Sequence, residues 1–304
     1  MNIAVVGSII VDLVAHAERP PNRSETVTGD SLRIVAGGKG ANQAVVCARM
    51  GCAVNLIGAV GQDAFAQIAL DSLARFGVVT DGIHRSSRAA TGLAFIVIDA
   101  ASDNTILVLR GANDDLSDDH LDRMADRITG ADALLVQLEM PLPTVERAMQ
   151  IAQRAGVPIL LDPAPARQIA DRFLGMADFI TPNEQETKTL TGIDPATPEA
   201  ARAAAAVLHQ RGARNVVVKR GPHGCLVSAG GTQTEIAGRP VQAVDTVGAG
   251  DCFAGAMISR WLETRDLVDA CRFANAAAAL KVQRPGAQSG IPARAEVEAL
   301  LKSH

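Results

Sequence analysis

Four runs, Ile3 to Val6, Leu134 to Leu138, Pro158 to Leu161 and Val216 to Val218, are β-branched or aliphatic without polar alternation. A strand with one face in water alternates apolar and polar positions, whereas a strand covered on both faces does not, so these runs predict central parallel strands. Helical patterns lie between them. Several close on glycine just before a new apolar run, at Met50-Gly51, Phe76-Gly77, Ala155-Gly156 and Arg211-Gly212, where a left-handed cap is cheapest for Gly. The alanine-rich segment Ala200 to Ala206 carries Arg202 and continues into Val207, Leu208 and His209, which reads as an ordinary helix of high propensity. The alternation predicts an α/β layer architecture. No internal repeat and no linker interrupt it.

One stretch breaks the alternation. Thr91 to Ile98 and Thr105 to Leu109 are β-rich runs joined by the polar turn Ala100-Ala101-Ser102-Asp103-Asn104, which predicts a hairpin. Its first strand is apolar at Leu93, Phe95 and Val97 and also at Ala94, Ile96 and Ile98, so both faces require cover. Two readings follow: a lid whose outer face pairs with a second subunit, or a hairpin packed under a long loop of its own chain.

The length of 304 residues and 48% hydrophobic content allow a large core in one main domain. Twenty-nine basic against 33 acidic residues give a net charge of −4, without the basic stripe a nucleic-acid binder needs, so the expected partner is a small molecule. Cysteines 47, 52, 225, 252 and 271 form no CxxC, and no HxxxH occurs, so neither a disulfide framework nor a zinc site is expected and the compartment reads as cytoplasmic. No apolar run approaches the roughly 20 residues of a membrane helix, and Ile3 to Val11 lacks the basic leader of a signal peptide.

The strongest local signal is Asp245-Thr246-Val247-Gly248-Ala249-Gly250-Asp251, followed by a helical stripe through Phe253, Met257 and Trp261 with Ala254, Ile258 and Leu262. Its glycines therefore sit at a helix entrance, where unpaired N–H groups and the helix dipole make an anion site. Asp251, in the first turn, is the candidate general base of a phosphoryl transfer; alternatively it only complements the dipole. A second cluster, Gly37-Gly38-Lys39-Gly40-Ala41-Asn42, also precedes a helix and can offer backbone donors and an amide to sugar hydroxyls. It is neither a Walker A loop nor a dinucleotide fingerprint. Glu139, Asp162, Asn183, Glu184 and Glu186 follow predicted strands, and strand carboxyl ends line the ligand crevice of open α/β sheets.

Five stretches together resemble ribokinases: Gly37 to Ala44, Gln137-Leu138-Glu139, Pro163-Ala164-Pro165-Ala166-Arg167, Thr181-Pro182-Asn183-Glu184 and Val244 to Asp251. The similarity runs in order along essentially the whole chain and places it among the ribokinase-like carbohydrate kinases, the PfkB family. It implies a three-layer fold over residues 1–304, with a mostly parallel sheet flanked by helices and a small β-sheet lid from about 10–36 and 91–110. It implies ATP-dependent phosphorylation of the 5-hydroxyl of D-ribose, with 2-deoxyribose or another small sugar or nucleoside as alternatives, and a homodimer joined through the lid.

The resemblance also distributes roles. Asp251 takes the sugar's proton, and the amides of Gly248, Ala249, Gly250 and Asp251 form the anion hole. Ile10, Asp12, Gly38, Lys39, Gly40, Asn42 and Glu139 line the sugar. Asn183 and Glu186 organise the phosphates and Mg²⁺, which keeps much of its water, while Lys219, Arg220, Gly221, Gly224 and Asn275 hold ATP. A monovalent cation, usually K⁺, is implied beside the anion hole, at Asp245 and backbone oxygens near Val247, Lys281, Arg284, Gly286 and Gly290. Three positions depart from the pattern. Ile10 stands where ribokinases usually carry an asparagine, and an unpaired sugar hydroxyl there costs about 1–3 kcal/mol. That suits a sugar with one hydroxyl fewer, unless Ile10 packs against Ile34 or Val35 and a water serves the sugar. Cys252 replaces a Thr or Ser, and Asn275 a histidine. Two other classes compete: an inert sugar or nucleotide sensor, opposed by the intact Asp251 and glycines, and a nicotinamide oxidoreductase, opposed by Gly7-Ser8-Ile9-Ile10 where GxGxxG would stand.

Overall fold

Within the first strand, Asn2–Val6, the side chains of Ile3 and Val5 enter one apolar layer and those of Ala4 and Val6 another. The same split recurs at Leu135 against Leu134 and Val136, at Leu160 against Ile159 and Leu161, and at Val217 against Val216 and Val218. Unbroken apolar runs are thus strands covered on both faces, and each fully buried aliphatic contributes about 1.5–3 kcal/mol. The computed structural model describes residues 1–101 and 103–303; Ser102, the middle of the expected turn, and His304 lie outside the described residues.

The strands in chain order are β1 (Asn2–Val6), β2 (Ile10–Ala17), β3 (Gly29–Gly37), β4 (Ala53–Val60), β5 (Ile83–Arg85), β6 (Gly92–Ile98), β7 (Asn104–Leu109), β8 (Ala133–Val136), β9 (Ile159–Leu161), β10 (Phe179–Ile180), β11 (Asn215–Lys219), β12 (Cys225–Ala229) and β13 (Thr232–Ile236). The helices are α1 (Lys39–Arg49), α2 (Ala64–Arg75), α3 (Asp118–Arg123), α4 (Ala125–Thr129), α5 (Leu142–Ala155), α6 (Asp171–Met176), α7 (Glu184–Thr191), α8 (Pro198–Gln210), α9 (Ala249–Thr264), α10 (Leu267–Val282) and α11 (Arg294–Lys302). The four helix-closing glycines, Gly51, Gly77, Gly156 and Gly212, all have positive φ.

The main sheet runs β13-β12-β11-β10-β9-β8-β1-β4-β5. It is parallel from β11 to β5, with β12 and β13 added as an antiparallel edge. Helices α1, α2, α9, α10 and α11 cover the face of Ile3 and Val5, and α3 to α8 the other. Parallel strands place their carboxyl ends on one side, and α1 and α9 start there too.

A separate four-stranded sheet has the order β3-β2-β6-β7. The expected hairpin is present, with Leu93 opposite Leu109 and Phe95 opposite Leu107, and β2 lies parallel to β6. Asp12 pairs with Ala94 and Val35, Leu13 with Phe95 and Ile34. Strand alternation therefore puts Ile10, Asp12 and Val14 on one face, and Leu13, Phe95, Leu107, Leu109, Ile34 and Leu32 on the other. On that second face Leu32, Ile34, Phe95, Leu107 and Leu109 are all exposed.

Candidate active site

Strands β1, β8, β9, β10 and β11 are neighbours, and each delivers a polar residue from its carboxyl end: Ser8, Glu139, Asp162, Thr181 and Lys219 respectively. The β8 strand ends at Val136, two residues short of the predicted run, so Gln137, Leu138 and Glu139 belong to the loop that bends into the crevice. Opposite this row stand the entrances of α1 and α9. Helix α1 follows Gly38, whose φ of 88° brings it so close to β2 that an added Cβ would lie 2.7 Å from the Ile10 nitrogen. Helix α9 follows Gly248 at φ 78°, and both are positions that L side chains rarely adopt.

Asp251 sits in the first turn of α9, 5% exposed. Its Oδ2 accepts from Asn42 Nδ2 at 2.9 Å and its Oδ1 from Gln43 Nε2 at 3.2 Å. The same Gln43 nitrogen donates to Asp162 Oδ2 at 2.9 Å, and the Gln43 carbonyl accepts from Gln137 Nε2 at 2.6 Å. Asp162 Oδ1 accepts from Thr181 Oγ1 at 3.0 Å and from the Lys219 ammonium at 2.8 Å. A Cβ on Gly250 would stand 3.4 Å from Lys219 Nζ, so this ammonium borders the α9 entrance. Ala249 N donates to the Thr246 carbonyl at 3.1 Å, so it is the N–H groups of Gly250 and Asp251 that meet the positive charge at one place, as a migrating phosphoryl group requires.

Electrostatics follow from burial. Burial raises the Asp251 pKa, the Lys39 ammonium opposes it, and Asp162 adds to it. The Asp12 carboxyl is pushed up to about 6 by burial and by the charges of Glu139 and Asp251. Burial pulls Lys39 and Lys219 down, but the carboxylates around each win, so both are held above the ordinary lysine value. Glu139 accepts from Ser8 Oγ and, at 3.0 Å, from the backbone nitrogen of Lys39. Among the described residues neither the Asp12 carboxylate nor the Lys39 ammonium has a protein hydrogen-bond partner, which leaves both for a ligand.

The expected nucleotide residues are more varied. Asn183 is the N-cap of α7 and forms a capping box with Glu186: Glu186 N donates to Asn183 Oδ1 at 2.8 Å and Asn183 N to Glu186 Oε2 at 2.7 Å. Glu186 Oε1 takes no protein donor among the described residues, and burial raises this carboxyl against the pull of Lys219. Gly221 and Gly224 flank a short turn after β11. The Arg220 guanidinium is buried and its Nε and Nη2 donate to the carbonyls of Pro195 and Ala196 at 3.1 and 3.0 Å, while its backbone nitrogen donates to the Gly224 carbonyl at 2.8 Å. Asn275 Nδ2 donates to the Ala237 carbonyl at 2.7 Å.

The residues expected around K⁺ cluster but do not fit a free cation. Asp245 Oδ1 accepts from Val247 N at 2.9 Å and Oδ2 from Gly286 N at 2.7 Å. Lys281 Nζ lies 3.9 Å from Asp245 Oδ1. The Gly286 carbonyl already accepts from Gly290 N at 3.1 Å and the Lys281 carbonyl from Arg284 N at 3.0 Å.

Residues 1–294 match the family description pfkB family carbohydrate kinase. The chain belongs to the pfkB family of carbohydrate kinases. It is accordingly a phosphotransferase acting on a sugar hydroxyl. A ribokinase of Haemophilus influenzae is 41% identical over 300 residues, covering 99% of this chain and 98% of the relative. A deoxyribokinase of Salmonella typhi is 36% identical over 293 residues, 96% of each chain. An Arabidopsis thaliana ribokinase solved with ribose and ATP superposes with a TM-score of 0.92 at 32% identity, covering 99% of this chain and 98% of its own.

Several residues of this pfkB site carried no assigned role in the sequence. Gln43 and Gln137 stand inside the motifs that mark the resemblance, and Asp162 ends a predicted strand, so their positions were visible. Asn113 and Gln288 were not visible. Asn113 accepts from Ile9 N at 2.9 Å and donates to Ile9 O at 2.8 Å, and Gln288 Nε2 donates to Asn42 Oδ1 at 3.2 Å. Contacts over such sequence separations leave no local periodicity. Elsewhere, Cys47, Cys52, Cys225, Cys252 and Cys271 are buried and unpaired, and no helix among the described residues is long and apolar enough to cross a membrane.

Proposed function

We propose that this chain transfers the γ-phosphoryl group of Mg²⁺-bound ATP to the 5-hydroxyl of D-ribose. The observation that carries the reading is Asp251, held by Asn42 and Gln43 at the entrance of α9 with the Lys219 ammonium beside it. Asp251 accepts the hydroxyl proton, the sugar oxygen forms the new bond to Pγ, and the bond from Pγ to the β-bridging oxygen breaks with its electron pair leaving on ADP. The N–H groups of Gly248, Gly250 and Asp251, with Lys219, receive the developing charge, whereas the expected Ala249 donor is engaged by the Thr246 carbonyl at 3.1 Å. Asp12, Lys39, Asn42 and Glu139 orient the sugar, while Gly38 and Gly40 let the start of α1 approach the backbone of Gly7 to Ile10. Glu186 Oε1 and Asn183 suit a hydrated Mg²⁺, which neutralises phosphate charge when bound. Lys219 to Gly224 and Asn275 suit ATP.

A second reading, 2-deoxyribose as the acceptor, is favoured by one observation. Ile10 is buried and lies on the same face of β2 as Asp12, two residues away. It belongs to neither apolar layer of the main sheet, so its side chain lines the space beside Asp12 and offers no hydrogen bond. The four-stranded sheet acts as a lid over this space. Its opposite face, with Leu32, Ile34, Phe95, Leu107 and Leu109 exposed, suits a second copy of the same chain.

ADP release measured with ribose, 2-deoxyribose, fructose and nucleosides tests the reading. Turnover of ribose or 2-deoxyribose well above the others is expected, and sugar-independent ADP release alone would refute it.

A further inference from the structure

Lys281 is completely buried, at 0% exposure, one residue before the end of α10. Its ammonium donates to the Asp245 carbonyl at 2.8 Å and stands 3.9 Å from Asp245 Oδ1. Burying an ammonium costs several kcal/mol unless it is paired, and its partners here are all in the segment that leads into α9. That segment is fixed from both sides. The nitrogens of Val244 and Asp245 donate to the Val282 carbonyl at 2.7 and 3.0 Å, and the Asp245 carboxylate accepts from Val247 N and Gly286 N. The helix C-terminus adds its own negative end beneath the lysine.

The ammonium is also within electrostatic reach of Asp251 and Cys252 in the first turn of α9. It thus supplies a fixed positive charge behind the loop whose far side forms the anion site. A free cation at these residues would share one carboxylate with the lysine, and two like charges side by side on it repel. Both Asp245 oxygens already accept backbone donors. The positive charge beside Asp245 is thus already supplied by the chain.

We propose that the Lys281 ammonium stands in for the monovalent cation beside the α9 entrance, so that this chain turns over without added potassium. The proposal rests on the kinase reading, and its test has an arm that does not. In the first arm, turnover is compared in potassium, sodium and tetramethylammonium chloride at equal ionic strength. The intact enzyme should vary by less than about twofold, whereas Lys281→Ala should lose about tenfold or more in tetramethylammonium and recover in potassium. Lys281→Met, which fills the space without charge, should be as slow and should not recover. Strong potassium activation of the intact enzyme, or cation-indifferent full activity of Lys281→Ala or Lys281→Met, overturns the proposal.

The second arm uses ligand-free protein and reads the melting temperature in the same salts. A potassium-specific rise is expected in Lys281→Ala and not in the intact chain. A potassium-specific rise in the intact chain overturns the proposal even if no sugar is turned over, whereas absent turnover of every sugar sinks only the kinase reading.

Discussion

Asp162 and Asp251 share one donor: the Gln43 side-chain nitrogen lies 2.9 Å from Asp162 Oδ2 and 3.2 Å from Asp251 Oδ1. Gln137 fixes which end of the amide points at them by donating to the Gln43 carbonyl. Gln43→Glu turns that donor into an acceptor facing two carboxylates and a third charge without a partner. Stability should fall by about 3–5 kcal/mol, as when a buried charge loses its partner, and kcat by about 100-fold or more as Asp251 loses its orientation. Urea midpoints and turnover measured on the same preparation check both.

Asp12 carries a pH signature. Its folded pKa of about 6 exceeds the ordinary 3.8, so the folded state binds the proton more tightly than the unfolded chain. The resulting stability is complete below the unfolded pKa and is lost as pH rises through about 6; the loss amounts to about 3 kcal/mol. Asp12→Asn should therefore raise the melting temperature at alkaline pH and leave it almost unchanged at acid pH, while raising KM for the sugar at every pH. Equal melting shifts at both ends of the range would contradict the assignment.

Ile10 decides between two sugars that differ by one hydroxyl. Ile10→Asn offers that hydroxyl a partner worth about 1–3 kcal/mol, which is about 5- to 150-fold in binding. The ratio of kcat/KM for ribose over 2-deoxyribose should rise within that range. An unchanged ratio means that Ile10 does not face the sugar.

The exposed lid face predicts association. Light scattering at micromolar protein should give the mass of a dimer, and Leu107→Asp, on the edge strand of that face and 60% exposed, should give a monomer with kcat lowered only insofar as the lid loosens. A monomeric intact chain would remove the dimer from the account.

Much of this was legible in the residues because local causes suffice. Unbroken apolar runs marked β1, β8, β9 and β11, glycine marked the helix ends, and the Gly248-Ala249-Gly250-Asp251 stretch marked a helix entrance. The register of the second sheet was less legible. The hairpin β6–β7 announced itself through its polar turn, but the parallel pairing of β2 with β6 joins Asp12 to Ala94 across a long stretch of chain. The least legible layer was the wiring beneath the site. That Gln43 bridges two carboxylates, that Asn113 satisfies the Ile9 backbone and that a buried Lys281 donates to the Asp245 carbonyl are consequences of packing, not of any spacing in the chain. Arg220 shows the reverse limit: the family resemblance implied a place for it near the nucleotide, and the fold turns its guanidinium to two carbonyls of the loop before α8.

The central claim is that Asp251 removes the proton from the attacking hydroxyl. Asp251→Asn keeps the size and the contact with Asn42 but cannot take up a proton, so sugar binding by calorimetry should survive while kcat falls by at least about 100- to 10,000-fold. Single-turnover phosphoryl transfer from ATP to ribose, followed with intact and Asp251→Asn enzyme side by side, measures that step directly. Loss of transfer with sugar still bound is the result predicted here; transfer by Asp251→Asn within about tenfold of the intact enzyme would contradict it.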